Sequence, residues 1–332
     1  MKNVVTRNDV AKLANVSPAI VSYVLNNSNY VSEEKRDAVL KAVKELGYVP
    51  NQLARGLRTN KSTHFAFVCD NIQTELFSEV ERIAFEKGYY VSLNYSRPDN
   101  AFIKMLVSRQ LEGIFMTSNS FSAKQLNTIA ANGIPMIFYK TRQYDDLDSR
   151  IVTLAPDYYD GVKKAVNYLA LQGHKNIALI PPVKYRTKGI SGDDFRVRAY
   201  VEALESNRLS VNGDLVCTTT ATVEAIYESV FNMMVNFSAE ERPSAFVVGN
   251  DYLAAQIIKY LDKLKLKVPG DVSIIGCDNT EIAPIISPAL TTVDYSKTEL
   301  ARDYVDCMLD LIEGRSVEGK YVEVRLVIRD SA

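Results

Sequence analysis

Two groups of residues in this chain have types and spacings suited to chemistry, and in both the chemistry is recognition rather than bond breaking. Pro18, Ala19, Ser22, Tyr23 and Asn26 share the outward side of a short helical segment that Ser17 opens and whose other side carries Val21, Val24 and Leu25. Small and polar side chains presented this way can meet base edges in a DNA major groove. Asp70, Lys140, Asn250 and Asp278 form the second group, each following an apolar run closely. If those runs are parallel strands, these residues border a ligand crevice at the carboxyl edge of a sheet. Catalytic signatures are missing: there is no G-x-x-x-x-G-K-[ST] loop and no nucleophile elbow. With two histidines, His64 and His174, and no clustered ligands, neither a metal nor a cofactor is expected. His174 is expected to hold the turn before the strand at Ile177.

The first group needs a rigid mount, and the local sequence supplies one. Thr6 to Asn26 divides into two short helices joined by a tight turn, a helix-turn-helix. Thr6 with Asp9 three residues on makes a capping box, and Ser17 with Pro18 opens the second helix. Val10, Leu13, Ala14 and Val16 join Val21, Val24 and Leu25 as its apolar face. A third helix is expected from Ser32, with Glu33 and Glu34 in its first turn, through Val39, Leu40, Val43 and Leu46 to Gly47 and Pro50. The next segment, Asn51 to Arg58, has helix formers around Gly56 but only two turns, too short to be stable unaided. The domain boundaries read as 1–50 for the DNA-binding headpiece, 51–60 for a hinge helix and 61–332 for the remainder.

From Thr63 the pattern becomes strand, helix, strand. His64 to Cys69, Tyr90 to Tyr95, Gly113 to Thr117 and Ile134 to Tyr139 are short apolar runs, the first three each followed by a helical stretch. The alternation restarts at Asn176 to Ile180, Ser244 to Val248 and Val272 to Gly276, so two Rossmann-like halves facing a cleft are expected. At 332 residues, 47% hydrophobic and 24% charged, the chain has ordinary soluble-globular usage and room for more than one core. Residues 1–60 hold nine Lys or Arg against five Asp or Glu, within a net charge of −1 for the chain. The basic end is therefore the one suited to DNA. Cys69, Cys217, Cys277 and Cys307 include no C-x-x-C pair and read as reduced thiols. No apolar stretch approaches the roughly 20 residues of a membrane span and no signal peptide is evident, so a cytoplasmic protein is expected.

Several motifs, in order, resemble the lactose repressor (LacI/GalR) family of bacterial transcription regulators. They are Asp9-Val10-Ala11, Val16-Ser17, Val21-Ser22, Val24-Leu25-Asn26-Asn27, Glu45 to Asn51 and Ala54 to Arg58 in the headpiece. Further on come Leu169 to Ile177, Gly249-Asn250-Asp251, Val268 to Asp278, Pro288 to Val293 and Leu326 to Arg329. This resemblance implies an α/β protein with a helix-turn-helix headpiece and hinge helix, followed by two subdomains of the periplasmic-binding-protein type. It implies a non-enzymatic regulator, most simply a repressor, binding a palindromic operator as a homodimer and changing DNA affinity when a small molecule, a sugar or sugar derivative, enters the cleft. DNA contacts carried over are Thr6, Ser17, Pro18, Ala19, Ser22, Tyr23, Asn26, Tyr30, Asn51, Ala54, Leu57 and Arg58, with Leu57 wedged in the minor groove. Effector contacts are Phe77, Lys140, Arg196, Asn250 and Asp278. Two other classes share parts of this pattern: a secreted sugar-binding protein would need a signal peptide and no headpiece, and an enzyme would need a catalytic constellation in the cleft.

The sequence departs from the family at three places. Lys140 stands where the family often has Asp, which with Arg196 favours an acidic or phosphorylated effector; equally, Lys140 could point to solvent or pair with Asp145 or Asp146. Tyr23 stands where many members have Arg, so the operator half-site should differ there. Gln73-Thr74-Glu75-Leu76 lacks the common Asn-Pro-Phe. The chain ends at Ala332 without a heptad segment, which favours a dimer over a tetramer. Whether the ligand releases DNA or promotes binding is open.

Overall fold

The computed structural model describes residues 5–49, 62–70, 74–182, 194–217 and 222–332. The hinge segment expected at 51–60 lies outside them. Two compact units result, Met1–Ser62 and Thr63–Ala332.

In the first unit, α1 (Arg7–Leu13), α2 (Pro18–Asn26) and α3 (Glu33–Leu46) enclose Val10, Val21, Val24, Val39, Ala42 and Tyr48. The caps form as the sequence requires. Asp9 accepts from the Thr6 N–H at 2.8 Å and from the Thr6 hydroxyl at 2.6 Å, bonds that hold its carboxyl below the usual range. Ser17 Oγ accepts from the Ile20 N–H at 3.3 Å. Gly47, at φ +59°, ends α3 in the left-handed region. Three positions differ from expectation. Leu13 and Leu40 are 46% and 49% exposed; Leu13 is the last residue of a two-turn helix, and Leu40 lies about 100° around α3 from the buried Val39. Ser22, expected outward, is buried.

The second unit begins with β1 (His64–Cys69), α4 (Thr74–Glu86), β2 (Tyr90–Tyr95), α5 (Asn100–Ser108), β3 (Gly113–Met116), α6 (Ala123–Ala130), β4 (Met136–Phe138) and β5 (Ile151–Pro156). It continues with α7 (Tyr158–Leu171), β6 (Ile177–Ile180), α8 (Phe195–Ser206), α9 (Val223–Phe231), β7 (Ala245–Val248), α10 (Asp251–Lys263), β8 (Ser273–Cys277) and β9 (Thr291–Asp294). It closes with α11 (Lys297–Ile312), β10 (Lys320–Val322) and β11 (Arg325–Val327). One sheet has the order β10-β5-β4-β3-β1-β2 and is parallel throughout; the other has β11-β9-β8-β7-β6, with β11 antiparallel to β9. Two Rossmann-like lobes are therefore present, as the alternation implied. Strands β5, β9, β10 and β11 were not anticipated. No helix separates β4 from β5, and the last three arise where the chain changes lobe.

It changes lobe three times: at 156–158, at 294–297 and at 322–325. Alternation along the strands covers both faces of each sheet. Ala66, Val68, Ile114 and Met116 enter the outer core of the first lobe. Phe65, Phe67 and Phe115 enter a core shared with Ile177, Leu179 and Val247 of the second. Packing is close: a Cβ on Gly113 would meet Met308 Sδ at 2.2 Å. The final residues are sewn into the second lobe, Ser331 Oγ accepting from Thr291 N–H at 2.8 Å and donating to the Ile274 carbonyl at 2.6 Å. His174 meets Ser244 Oγ at 2.8 Å beside β6, the positioning role expected of it. Cys69, Cys217 and Cys277 are buried and Cys307 is half-buried. Among the described residues no helix is long and apolar enough to cross a membrane, and no three His, Cys, Asp or Glu cluster for a metal.

Candidate DNA interface and effector cleft

Ser17, which caps α2, and Pro18, Ala19 and Asn26 on it are exposed, and Thr6 and Tyr30 join them at the headpiece surface. Asn26 Nδ2 donates to the Ser22 carbonyl at 2.7 Å and to Ser22 Oγ at 3.1 Å. Ser22 thus steadies a neighbour instead of facing outward. Tyr23 is half-buried against the headpiece core. Asn51, Ala54, Leu57 and Arg58 lie outside the described residues. Because tyrosine cannot make the two-pronged contact that Arg makes to guanine, Tyr23→Arg is expected to redirect half-site preference while phosphate contacts keep overall affinity. Selection from a randomised operator library measures this, and an identical consensus for both proteins would remove Tyr23 from base reading.

In the second unit the carboxyl ends of the strands carry the polar groups. Asp278 follows β8 with φ at +95°, a left-handed backbone that breaks the strand and turns the carboxylate aside. Tyr158, opening α7, donates from its hydroxyl to Asp278 Oδ1 at 2.5 Å. The Tyr158 hydroxyl also pairs with that of Tyr139 after β4, and Tyr295 packs edge-on to the Tyr158 ring at 6.3 Å. Burial pushes the Asp278 carboxyl up, against the opposing pull of the Tyr158 bond, Lys297 and Arg196. Burial likewise raises all three tyrosines.

Arg196 lies with its guanidinium 5.6 Å from the centre of the Tyr158 ring. Asp194, fully buried, fixes it there. Asp194 accepts from Arg196 Nε at 3.1 Å, from an Arg196 terminal nitrogen at 3.2 Å and from the Arg196 backbone N–H at 2.8 Å, capping α8. Asn250 caps α10, its carbonyl oxygen accepting from Leu253 N–H at 2.8 Å; among the described residues its amide nitrogen has no hydrogen-bond partner. Next to it, buried Asp251 accepts from Thr280 N–H at 2.6 Å and Thr292 Oγ1 at 2.5 Å. These bonds fasten the turn that follows Asp278. Gly276 makes room for this, since a Cβ there would lie 2.4 Å from Asp251 Oδ1.

Arg196 and Asp278 are thus brought together on one tyrosine ring. Lys140 approaches from the other lobe, its Nζ 5.9 Å from the centre of the Phe195 ring; burial lowers its pKa. Among the described residues no ion pair joins it to Asp145 or Asp146. Phe77 packs edge-on to Phe67 at 5.4 Å and is half-buried. Sequence reasoning passed over Tyr139, Tyr158, Asp194 and Asp251. Asp194, two residues before Arg196, and Tyr158, next to a helix-capping Asp157, left only weak local signals.

A three-helix headpiece joined to a two-lobed α/β unit with a polar inter-lobe cleft defines a DNA-binding regulator that carries its own small-molecule sensor. Residues 6–51 match the bacterial regulatory proteins of the lacI family, and residues 166–332 match the periplasmic binding protein-like domain. The HTH-type transcriptional repressor PurR of Salmonella arizonae is 30% identical over 98% of this chain and 96% of its own length. The lac repressor dimer bound to operator and the anti-inducer ONPF shares the fold with a TM-score of 0.80 at 22% identity, over 98% of each chain. The transcriptional regulator CelR in complex with cellobiose gives 0.69 at 23%, over 99% of this chain and 100% of that one. The chain belongs to the lacI family of bacterial regulatory proteins.

Proposed function

We propose that the protein is a cytoplasmic, ligand-responsive transcriptional repressor that binds a palindromic operator as a homodimer and binds its effector without transforming it. Residues 1–50 read the operator, 51–60 form the hinge and 61–332 hold the effector and the partner copy. The observation that carries this reading is the convergence of Arg196 and Asp278 on Tyr158 at the boundary of two lobes, in a chain that also bears a headpiece. Arg offers a fork of donors and Asp a pair of acceptors, a combination suited to a sugar or sugar derivative. A solved relative holds cellobiose, and sugars recur in others, ribose among them. A ligand gripped by both lobes changes the angle between them, and operator affinity shifts by a coupling free energy of about 1–3 kcal/mol.

Thermal-shift screening of sugars, sugar phosphates and nucleosides, followed by operator titration, tests this. A compound that raises Tm is expected also to change operator affinity by roughly 5- to 150-fold. Asp278→Asn keeps the shape and the Tyr158 bond but loses the negative acceptor, and is expected to abolish the ligand response while operator affinity stays normal. A stabilising compound with no effect on operator binding, or an Asp278→Asn protein that responds normally, would overturn the assignment.

A further inference from the structure

The carboxyl edge of the first sheet carries two opposed chemical poles. Strands run β2-β1-β3-β4 along it, and the residues that follow them are Ser96, Asp70, Ser118 with Ser120, and Lys140. Asp70 Oδ1 accepts hydrogen bonds from Ser118 Oγ at 2.7 Å, from Ser120 Oγ at 3.0 Å and from Ser96 Oγ. A carboxylate oxygen only accepts, so all three hydroxyl protons are committed to Asp70. What Asp70 and the exposed Ser120 have left is lone pairs, and this pole takes hydrogen-bond donors.

Asn119 ties that pole to the next strand. Its Nδ2 donates to the Tyr139 carbonyl at 2.8 Å and its Oδ1 accepts from Thr141 N–H at 3.1 Å. Lys140 lies between those two anchors, held over Phe195. Arg196 shares its charge with Asp194, whereas Lys140 makes no ion pair among the described residues and is half-buried. Among the described residues its charge is thus left uncompensated, and a partly dehydrated cation gains more from an anion than a solvated one. One strand, β3, separates the strands ending in Asp70 and Lys140, so two strand spacings, about 10 Å, lie between the poles. A sugar bearing an anionic group at one end bridges that span.

We propose that the effector is a polyhydroxylated anion, a sugar phosphate or a sugar acid, whose anionic group meets Lys140 beside Phe195 and whose hydroxyls donate to Asp70 and Ser120. This rests on the cleft being the effector site, as proposed above. Calorimetry on the full chain with matched probes tests it: glucose, gluconate and glucose 6-phosphate; galactose and galacturonate; fructose and fructose 6-phosphate; ribose and ribose 5-phosphate. At least one anion is expected to bind tenfold or more tightly than its neutral counterpart. Lys140→Met erases that preference and Lys140→Arg retains it; Asp70→Asn weakens the same anion at least fivefold. Ser120→Ala, at an exposed position, weakens it less and keeps the donor pole testable if Asp70→Asn folds poorly.

A phosphate or a carboxylate hit separates the two sources. Inorganic phosphate binding as well as the sugar phosphate, neutral sugars binding as well as their anions, a preference that survives Lys140→Met, or no probe binding at all overturns the proposal. A neutral sugar whose binding is lost in Asp278→Asn would leave the effector cleft standing and remove the anion. Anion binding unmoved by either Lys140→Met or Asp278→Asn would remove both.

Discussion

Asp194→Ala is expected to lower the stability of the two-lobed unit by about 3–5 kcal/mol, the usual consequence of removing one partner of a buried ion pair. Asp194 is completely buried and Arg196 is 5% exposed. Alanine removes two guanidinium bonds and the cap of α8 together, and leaves a dehydrated cation without its carboxylate. The damage spreads, because this segment also joins the lobes: Arg142 and Asp194 pair in an isolated bridge, and Phe195 N–H donates to the Thr141 carbonyl at 3.3 Å. Ligand response should therefore fall with stability, while the headpiece, a separate compact unit, still folds and binds DNA. Urea denaturation of Asp194→Ala, Arg196→Met and the double variant measures the pair. The double variant is expected to recover much of the loss, since no buried charge remains. A loss under about 1 kcal/mol in Asp194→Ala would show that the pair is not isolated from water as described.

Much of this architecture was legible because short-range rules govern it. The caps at Thr6 and Ser17, the Gly47 stop and the βαβ alternation each rest on a few adjacent residues, and each appears in the structure. Leu13, Leu40 and Ser22 misled because periodicity marks a face but not how far its packing extends around the helix. Strand β5 follows β4 without a helix, so the alternation offered no cue to it. In the cleft, Asn250, Asp278, Asp70 and Lys140 were visible as polar residues ending apolar runs. Tyr158, which unites Arg196 with Asp278, was not: its partner Asp278 is 120 positions away, and nothing in either local sequence announces the pairing. The serines around Asp70 follow two other strands, β2 and β3, and are likewise invisible until the sheet order is known.

The second large effect is a pH dependence centred on Asp251. Burial, with the nearby Asp278 charge, raises its pKa to about 7 from an ordinary 3.8, although hydrogen bonds from Thr280 and Thr292 pull the other way. A folded pKa above the unfolded one means that the folded state holds a proton the unfolded state has released. The associated stability is complete below about pH 4 and is lost as pH rises toward and through 7, with a slope of about 1.4 kcal/mol per pH unit between them. Asp251→Asn is the matching neutral side chain: its oxygen can accept from Thr280 N–H and its amide can donate to Thr292 Oγ1. The variant is expected to be more stable than the parent at pH 8 and to lose this segment of the pH profile. Denaturation at pH 5, 6, 7 and 8 decides, and parallel profiles for the two proteins would exclude Asp251 as the source.

The three passages between lobes have a consequence for how such a chain is made and remade. Each lobe takes its edge strand from the last residues: β10 completes one sheet and β11 the other, and Ser331 is bonded on both sides within the second lobe. During synthesis neither sheet can close until residues 320–327 have been made, so both lobes mature together, whereas the headpiece precedes them and can fold earlier. The same wiring sets the units of exchange. A headpiece can be transplanted with one cut near Ser62, but moving a single lobe requires three simultaneous cuts, and a recombination event with one breakpoint there would leave both sheets with an open edge. Regulators built this way should trade operators readily and trade half-sensors rarely.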